Sequence, residues 1–382
     1  MRFSPVKAAV IGCGMISRVY FENITKRFSI LELVGCSDLV PEKSAAAAET
    51  YHIRQMTNEE ILSDPSIELV LNLTYASAHY EVNRAVLSAG KHCYCEKMMC
   101  VTLEEAKELD RIRREKGVFL AVAPDTFLGA SQQTARMIVD RGLIGEPLSV
   151  TARLCRGYHM IKSSAEDAVR KYSVMQEGGG IPFDMGGYYL HEMFNLFGPV
   201  ESLSGYSCTR AQNRPYLNPR HDLFNESFFV NTPNTVEACM KFRHGPFCLL
   251  GISSEYHYTE QEFIVYGTEG TLTLGDPNGF GYKIYLNRNG EAGERLEYPL
   301  SHPFASESRG VGAADMAWAI RTGRAPRLSF EMGYHALEVI LGIAESDRSG
   351  KRITFDTTFD RPAPLSTECY PGFGEERSLF LS

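Results

Sequence analysis

Three groups of side chains in this 382-residue chain have types and spacings that do chemistry. Glu96 and Lys97 stand together directly after the apolar run His92–Cys95. As a parallel strand, that run puts both at its carboxyl end, where open α/β sheets bind ligands. An amine held there beside a cationic ring has its pKa lowered, toward the range useful for proton transfer. Asp184, Tyr188 and His191 follow a glycine-rich entry, Gly178–Gly180, with Pro182 suited to the first turn of a helix. At spacings i, i+4 and i+7 they share one helical face. Gly186 and Gly187 within that helix cost roughly 1 kcal/mol each against Ala, so something must pack close to the bare backbone there.

The third group is the turn Gly12-Cys13-Gly14-Met15-Ile16-Ser17, which ends the apolar run Val6–Ile11 and opens a helical pattern. Gly12 allows a tight turn, and Gly14 lets the backbone approach a pyrophosphate. The helix opening at Met15 and Ile16 offers unpaired N–H groups to its charge. A second apolar run, Leu31–Cys36, leads to Asp38, where a carboxylate can accept the adenosine ribose hydroxyls. That charge repels a 2′-phosphate, and the nearest following cation is Lys43, so the pattern favours NAD, with NADP as the alternative.

These groups need elements to position them. Strand-like runs at Val6–Ile11, Leu31–Cys36, Leu69–Thr74, His92–Cys95 and Phe119–Val122 alternate with helical segments, which implies a parallel sheet covered on both faces. Thr57 with Glu60 and Thr102 with Glu105 have capping-box spacing, and Pro41 opens an alanine-rich helix. Beyond Pro124, longer alternating runs such as Pro147–Arg156, Thr235–Phe242 and Phe247–Ser254 predict a mostly antiparallel sheet with one wet face. Two polar stretches, 157–180 and 211–234, are longer than ordinary connections and are expected to be binding or oligomer loops. The first carries Arg156 at its edge with His159, Lys162, Arg170 and Lys171, cations suited to a carboxylated or phosphorylated substrate.

Composition narrows the partners. Lys plus Arg number 39 against 47 Asp plus Glu, a net charge of −8 with both signs dispersed, which argues against nucleic acid or an anionic membrane surface. No apolar run reaches membrane-spanning length, and a cytoplasmic protein is expected. Ten scattered cysteines show no disulfide framework, and Cys93, Cys95 and Cys100 lack the paired spacing of a zinc site, so no metal is expected.

Together these motifs resemble the Gfo/Idh/MocA family of nicotinamide-dependent oxidoreductases along nearly the whole chain. Gly12 to Ser17, Asp38, Ala89-Gly90-Lys91-His92 before Glu96-Lys97, Gly145-Glu146-Pro147, the run to Asp184, Arg309–Gly312 with Asp315, and His335–Glu338 match in the family's order. The resemblance implies an α/β fold: an N-terminal Rossmann doubly wound parallel sheet (1–124), then a C-terminal α/β domain (125–382). The latter carries a large, mostly antiparallel open sheet for substrate binding and oligomerisation. It implies hydride transfer between NAD(P) and a hydroxyl-bearing carbon of a sugar, inositol or derivative, in a homodimer or homotetramer. Lys97 matches the family's catalytic lysine, Asp184 its substrate-contacting aspartate, and Thr74, His79 and Glu96 positions on the cofactor side.

Two departures stand out. Met98 replaces the family's proline after the lysine; a cis bond before Met costs about 2.5–4 kcal/mol, so a trans Lys97–Met98 peptide is expected. Tyr188 stands where many members carry a catalytic His, and as a phenol titrating near 10 it needs a cation such as Lys97 to work at neutral pH. His191, one turn on, is the other candidate. Two other activities fit the same family: a glycoside hydrolase that recycles bound NAD through oxidation, elimination and re-reduction, and a non-catalytic sensor of nucleotide redox state.

Overall fold

The computed structural model describes residues 3–157, 178–216, 219–220, 222–256, 259–288 and 295–366. It divides into two compact units: Met1–Ala130 with Ser301–Tyr334 and Pro362–Ser382, and Ser131–Leu300 with His335–Arg361.

In the first unit, six parallel strands lie in the order β3-β2-β1-β4-β5-β6: β1 (Val6–Ile11), β2 (Leu31–Ser37), β3 (Arg54–Gln55), β4 (Leu69–Asn72), β5 (His92–Cys95) and β6 (Leu120–Val122). The chain steps outward from β1 to β3 and returns to β4 on the other side of β1, a topological switch point. Helices α1 (Ser17–Arg27), α2 (Pro41–Tyr51), α3 (Asn58–Ser63), α4 (Ala76–Ser88) and α5 (Leu103–Lys116) connect the strands. Val10, Leu69, Val70 and Leu71 are wholly buried, as strands covered on both faces must be. Both capping boxes form as their spacing requires: Thr57 and Thr102 accept from the amides of Glu60 and Glu105, whose carboxylates answer the cap amides. The two-residue β3 has too few apolar residues to show in the sequence.

The second unit is built on a nine-stranded sheet in the order β16-β15-β14-β13-β7-β12-β11-β8-β17. Its strands are β7 (Pro147–Gly157), β8 (Val200–Cys208), β11 (Thr235–Phe242), β12 (Phe247–Tyr256), β13 (Glu260–Gly267), β14 (Thr271–Thr273), β15 (Ile284–Asn287), β16 (Leu296–Tyr298) and β17 (Ile353–Thr354). Every pair is antiparallel except β7 with β12. Strict alternation of buried and exposed residues along β11 gives one packed and one open face. Helices α6 (Ala130–Asp140) and α7 (Gly187–Phe197) precede two later helices, α8 (Val311–Thr322) and α9 (Phe330–Ser349).

The stretch 211–234 is not the loop its polarity predicts. It holds a hairpin, β9 (Asn213–Pro215) with β10 (Ser227–Phe229), over a small core of Tyr216, Phe228 and Val230. Fully buried Arg214 donates to the Ser254 carbonyl and lies 3.5 Å from Glu255. Too few apolar residues separate these strands from their turns for alternation to register.

Candidate functional site

At the end of β1 the chain turns at Gly12 with φ +101°, a conformation open to glycine. A Cβ there would sit 2.7 Å from the Leu73 carbonyl atoms, so the turn is packed against the end of β4. At Gly14 the same added atom would meet open space, which leaves room for a pyrophosphate. No side chain caps the start of α1 and no acidic residue stands in its first turn, which leaves its leading amides for an anion. Met15 is exposed and Ile16 half-buried at this entry.

Asp38 lies just past β2, preorganised by its own turn: Oδ2 accepts the Cys13 amide at 2.7 Å and Oδ1 the Val40 amide at 2.8 Å. Among the described residues it pairs with no Lys or Arg, and its remaining lone pairs suit ribose hydroxyls. Exposed Met15, Leu39 and Tyr75 surround these strand ends with apolar surface fit for the face of a base. The glycine turn, uncapped helix and fixed carboxylate fit a dinucleotide.

Across β1, a lattice of buried amides and one imidazole shapes the other half of the unit. Asn72 accepts the Thr74 hydroxyl at 2.6 Å and donates to the His79 carbonyl and to Asn83. His79, buried, sets Nδ1 2.6 Å from the Met98 carbonyl and Nε2 3.0 Å from that of Thr74. Burial lowers its pKa against the pull of both carbonyls and of Glu96. His79 thus joins the end of β4 to the segment after β5. Asn83 donates to the Met99 carbonyl at 3.0 Å.

The Lys97–Met98 peptide is cis, which corrects the expectation of a trans bond. Met98 and Met99 are buried, and His79 and Asn83 bind their carbonyls, so packing and partners set the course of this segment. A rule for the isolated dipeptide counts neither, and proline is not required. Glu96 is buried beside it, with Oε2 3.3 Å from the Lys97 amide.

In the second unit, Asp184 sits half-buried on a π-helical turn, Pro182–Gly186, that runs into α7, so the plain helix expected there begins one turn late. Such turns recur at functional sites. A Cβ added at Gly186 would sit at ordinary contact distance, 3.5 Å, from Ile340 of α9, so packing against α9 does not by itself require the bare backbone expected from the sequence. Tyr188 is 6% exposed. His191 is buried, its Nδ1 2.8 Å from the Gly187 carbonyl one turn back, and burial pushes its pKa down to about 4. It is neutral at pH 7 and folded onto its own helix. Next to it the buried carboxyl of Glu192 is pushed well above its usual range by burial. Arg156 is half-buried at the end of β7, while His159, Lys162, Arg170 and Lys171 lie outside the described residues.

Tyr20, Asn72, Asn83 and Asp125 were not marked as site residues in the sequence. Asn72 breaks an otherwise apolar strand run, and Asn83 lies four residues after His79 on one helix face. Both are signals of a buried polar lattice.

Known proteins match this geometry. Residues 6–123 match the oxidoreductase family with an NAD-binding Rossmann fold, and residues 132–273 the GFO/IDH/MocA C-terminal domain. An uncharacterized oxidoreductase of Schizosaccharomyces pombe is 28% identical over 56% of this chain, which spans 57% of that relative's length. The scyllo-inositol 2-dehydrogenase (NADP(+)) of Bacillus subtilis is 24% identical over 92% of this chain and 96% of its own. A levoglucosan dehydrogenase in complex with NADH superposes with a TM-score of 0.77 at 20% identity, covering 92% of this chain and 99% of that one. With both domains matched in order on an α/β fold of this topology, the chain belongs to the GFO/IDH/MocA family of oxidoreductases, and its first unit is that family's NAD-binding Rossmann fold.

Proposed function

We propose that this protein oxidises a hydroxyl-bearing carbon of a sugar, an inositol or a sugar derivative, with NAD as its cofactor. One observation carries this reading: the Gly12 turn, the paired amides on Asp38 and the Lys97 segment all stand at the carboxyl ends of one parallel sheet. Gly12, Gly14, Met15, Ile16 and Asp38 hold the dinucleotide at its adenosine and pyrophosphate parts, and Thr74, Glu96 and Lys97 at the other end, with His79 holding the backbone. When bound, the nicotinamide supplies the hydride acceptor.

Lys97 takes the proton of the substrate hydroxyl as the carbon becomes a carbonyl. In the second unit, Asp184 and Tyr188 are the side chains assigned to the substrate hydroxyls. Buried His191, bonded back to Gly187 and neutral, supports α7 instead. The carboxylate of Asp38, with no cation paired to it among the described residues, favours NAD over NADP. An inositol dehydrogenase and a levoglucosan dehydrogenase among the similar proteins support the polyol class.

The test follows nicotinamide absorbance with NAD or NADP and a panel of sugars, inositols and sugar acids, for the native protein and for Lys97→Met, Tyr188→Phe and His191→Ala. Net reduction with one substrate, lost by more than about a hundredfold in the first two variants and retained in the third, is expected. Glycoside cleavage without net reduction, or nucleotide binding with no turnover anywhere in the panel, overturns the dehydrogenase in favour of a hydrolase or a sensor. We also propose a homodimer or homotetramer, joined through the open face of the nine-stranded sheet.

A further inference from the structure

The first unit contains a buried polar chain beyond the cofactor contacts described above. Tyr20, on α1 and wholly buried, donates its hydroxyl to Glu96 Oε1 over 2.6 Å, across 76 residues of sequence. The Tyr94 hydroxyl lies 3.4 Å from that of Tyr20, with the two rings edge-on at 5.9 Å. The other Glu96 oxygen faces the Lys97 amide at 3.3 Å. A carboxylate only 7% exposed needs such donors to stay in place, and two of them fix its rotamer. Burial, then the Glu96 charge, raises the Tyr20 pKa well above the usual phenol range, so this hydroxyl remains a donor at any working pH.

The route of this bond matters more than its strength. α1 is the helix whose leading amides face the pyrophosphate, and Glu96 ends β5, two strands from β1 on the side opposite Asp38. A dinucleotide lying across the switch point, with its adenosine at Asp38, brings its nicotinamide half over β4 and β5. Tyr20 therefore spans from the element that seats the phosphates to a carboxylate under the reactive half. Tyr94 touches Tyr20 from the side and has no bond to Glu96 among the described residues.

We propose that Tyr20 is a positioning residue for the nicotinamide half of the cofactor: its hydroxyl holds the Glu96 carboxylate, and with it the Lys97 amide, in register with the pyrophosphate seat. The proposal rests on the reading of Glu96 as a cofactor contact. Tyr20→Phe keeps the ring and removes the donor.

The experiment titrates NADH by its fluorescence and ADP-ribose, which lacks the nicotinamide, by calorimetry, against Tyr20→Phe, Glu96→Ala and the double variant of the full chain. Expected for Tyr20→Phe is a Kd for NADH weakened about 3- to 10-fold with ADP-ribose binding unchanged within about twofold. The double variant should bind NADH no more weakly than Glu96→Ala alone, because the hydroxyl acts through that carboxylate. If Glu96→Ala weakens NADH and Tyr20→Phe does not, the positioning role is overturned while the Glu96 contact stands. Equal loss of NADH and ADP-ribose in Tyr20→Phe also overturns it, as a general effect on the fold. If Glu96→Ala leaves NADH binding intact, the reading of Glu96 itself fails.

Discussion

Gly12 and Gly14 are two residues apart and bare for opposite reasons. At Gly12 an added Cβ collides with the backbone of Leu73 and Thr74, whereas at Gly14 it meets nothing. Gly12→Ala should therefore lower stability, by about 1–3 kcal/mol for an overpacked, wrongly disposed side chain. Gly14→Ala should leave the melting temperature within about a degree and still weaken NADH at least about tenfold, because its methyl would occupy the open face at which the proposed pyrophosphate seat lies. Thermal melting beside a fluorescence titration separates the two; a Gly14→Ala protein that binds NADH normally would place the pyrophosphate elsewhere. The turn at Gly12, the Asp38 turn and the strand-end place of Glu96 and Lys97 were legible because they depend on residue type and local spacing. Tyr20 and Asn83 were not, because each acts through a partner distant in sequence, and a buried Tyr or Asn looks like any other until that partner is known. The cis bond at Met98 was misjudged for the same reason.

At the level of elements, Asp125 does for α8 what Thr57 and Thr102 do for α3 and α5, but from far away in sequence. Its Oδ2 accepts the amides of Gly310 at 2.8 Å and Gly312 at 3.1 Å, at the start of a helix that has no cap of its own. Burial, opposed by these amides and by Arg309, pushes the Asp125 pKa up from 3.8 to about 6. Between those values the unfolded chain has released a proton that the folded chain still holds, so stability falls as pH rises through this window. The contribution is present below about pH 4 and lost by about pH 6, of order 3 kcal/mol. Asp125→Asn retains an acceptor and removes the titration. Urea midpoints at pH 4.5 and 6.5 should therefore fall in the native protein by more than in the variant, and parallel profiles would refute the assignment. Glu192, raised by burial with the same sign, is common to both proteins and cancels. The capping boxes were legible, since four consecutive residues specify them. The π-turn at Asp184 and the hairpin at 213–229 were not: a π-turn has no spacing signature of its own, and the hairpin is organised around buried Arg214 and its partners distant in sequence.

At the scale of the whole chain, the open face of the nine-stranded sheet carries a group of apolar side chains exposed to water. Tyr206 is 72% and Leu249 60% exposed, and Phe247 and Tyr266 flank Ser149 in one cross-strand row. Such a face is covered in a stable assembly or is a liability to solubility. Leu249→Asp should convert the proposed dimer or tetramer to smaller species in light scattering behind size exclusion, with NADH affinity unchanged within about twofold. A native protein that already runs as a monomer would refute the assembly.

The first unit is discontinuous, and Ser301–Tyr334 and Pro362–Ser382 join it later in the chain: Arg321 donates to the carbonyls of Ser4 and Pro5 and grips Glu68, Asn23 donates to the Arg309 carbonyl, and Arg327 donates to the carbonyls of Ala363 and Pro364. On the ribosome the nucleotide domain therefore emerges in three instalments. Its parallel sheet is exported first, then residues 131–300 are made, roughly 10–30 s at ordinary elongation rates, before the helix that Asp125 caps exists. Through that interval Asp125 has no helix to cap and Glu68 no arginine to hold it. A nascent chain stalled before residue 301 should be the form most in need of a chaperone.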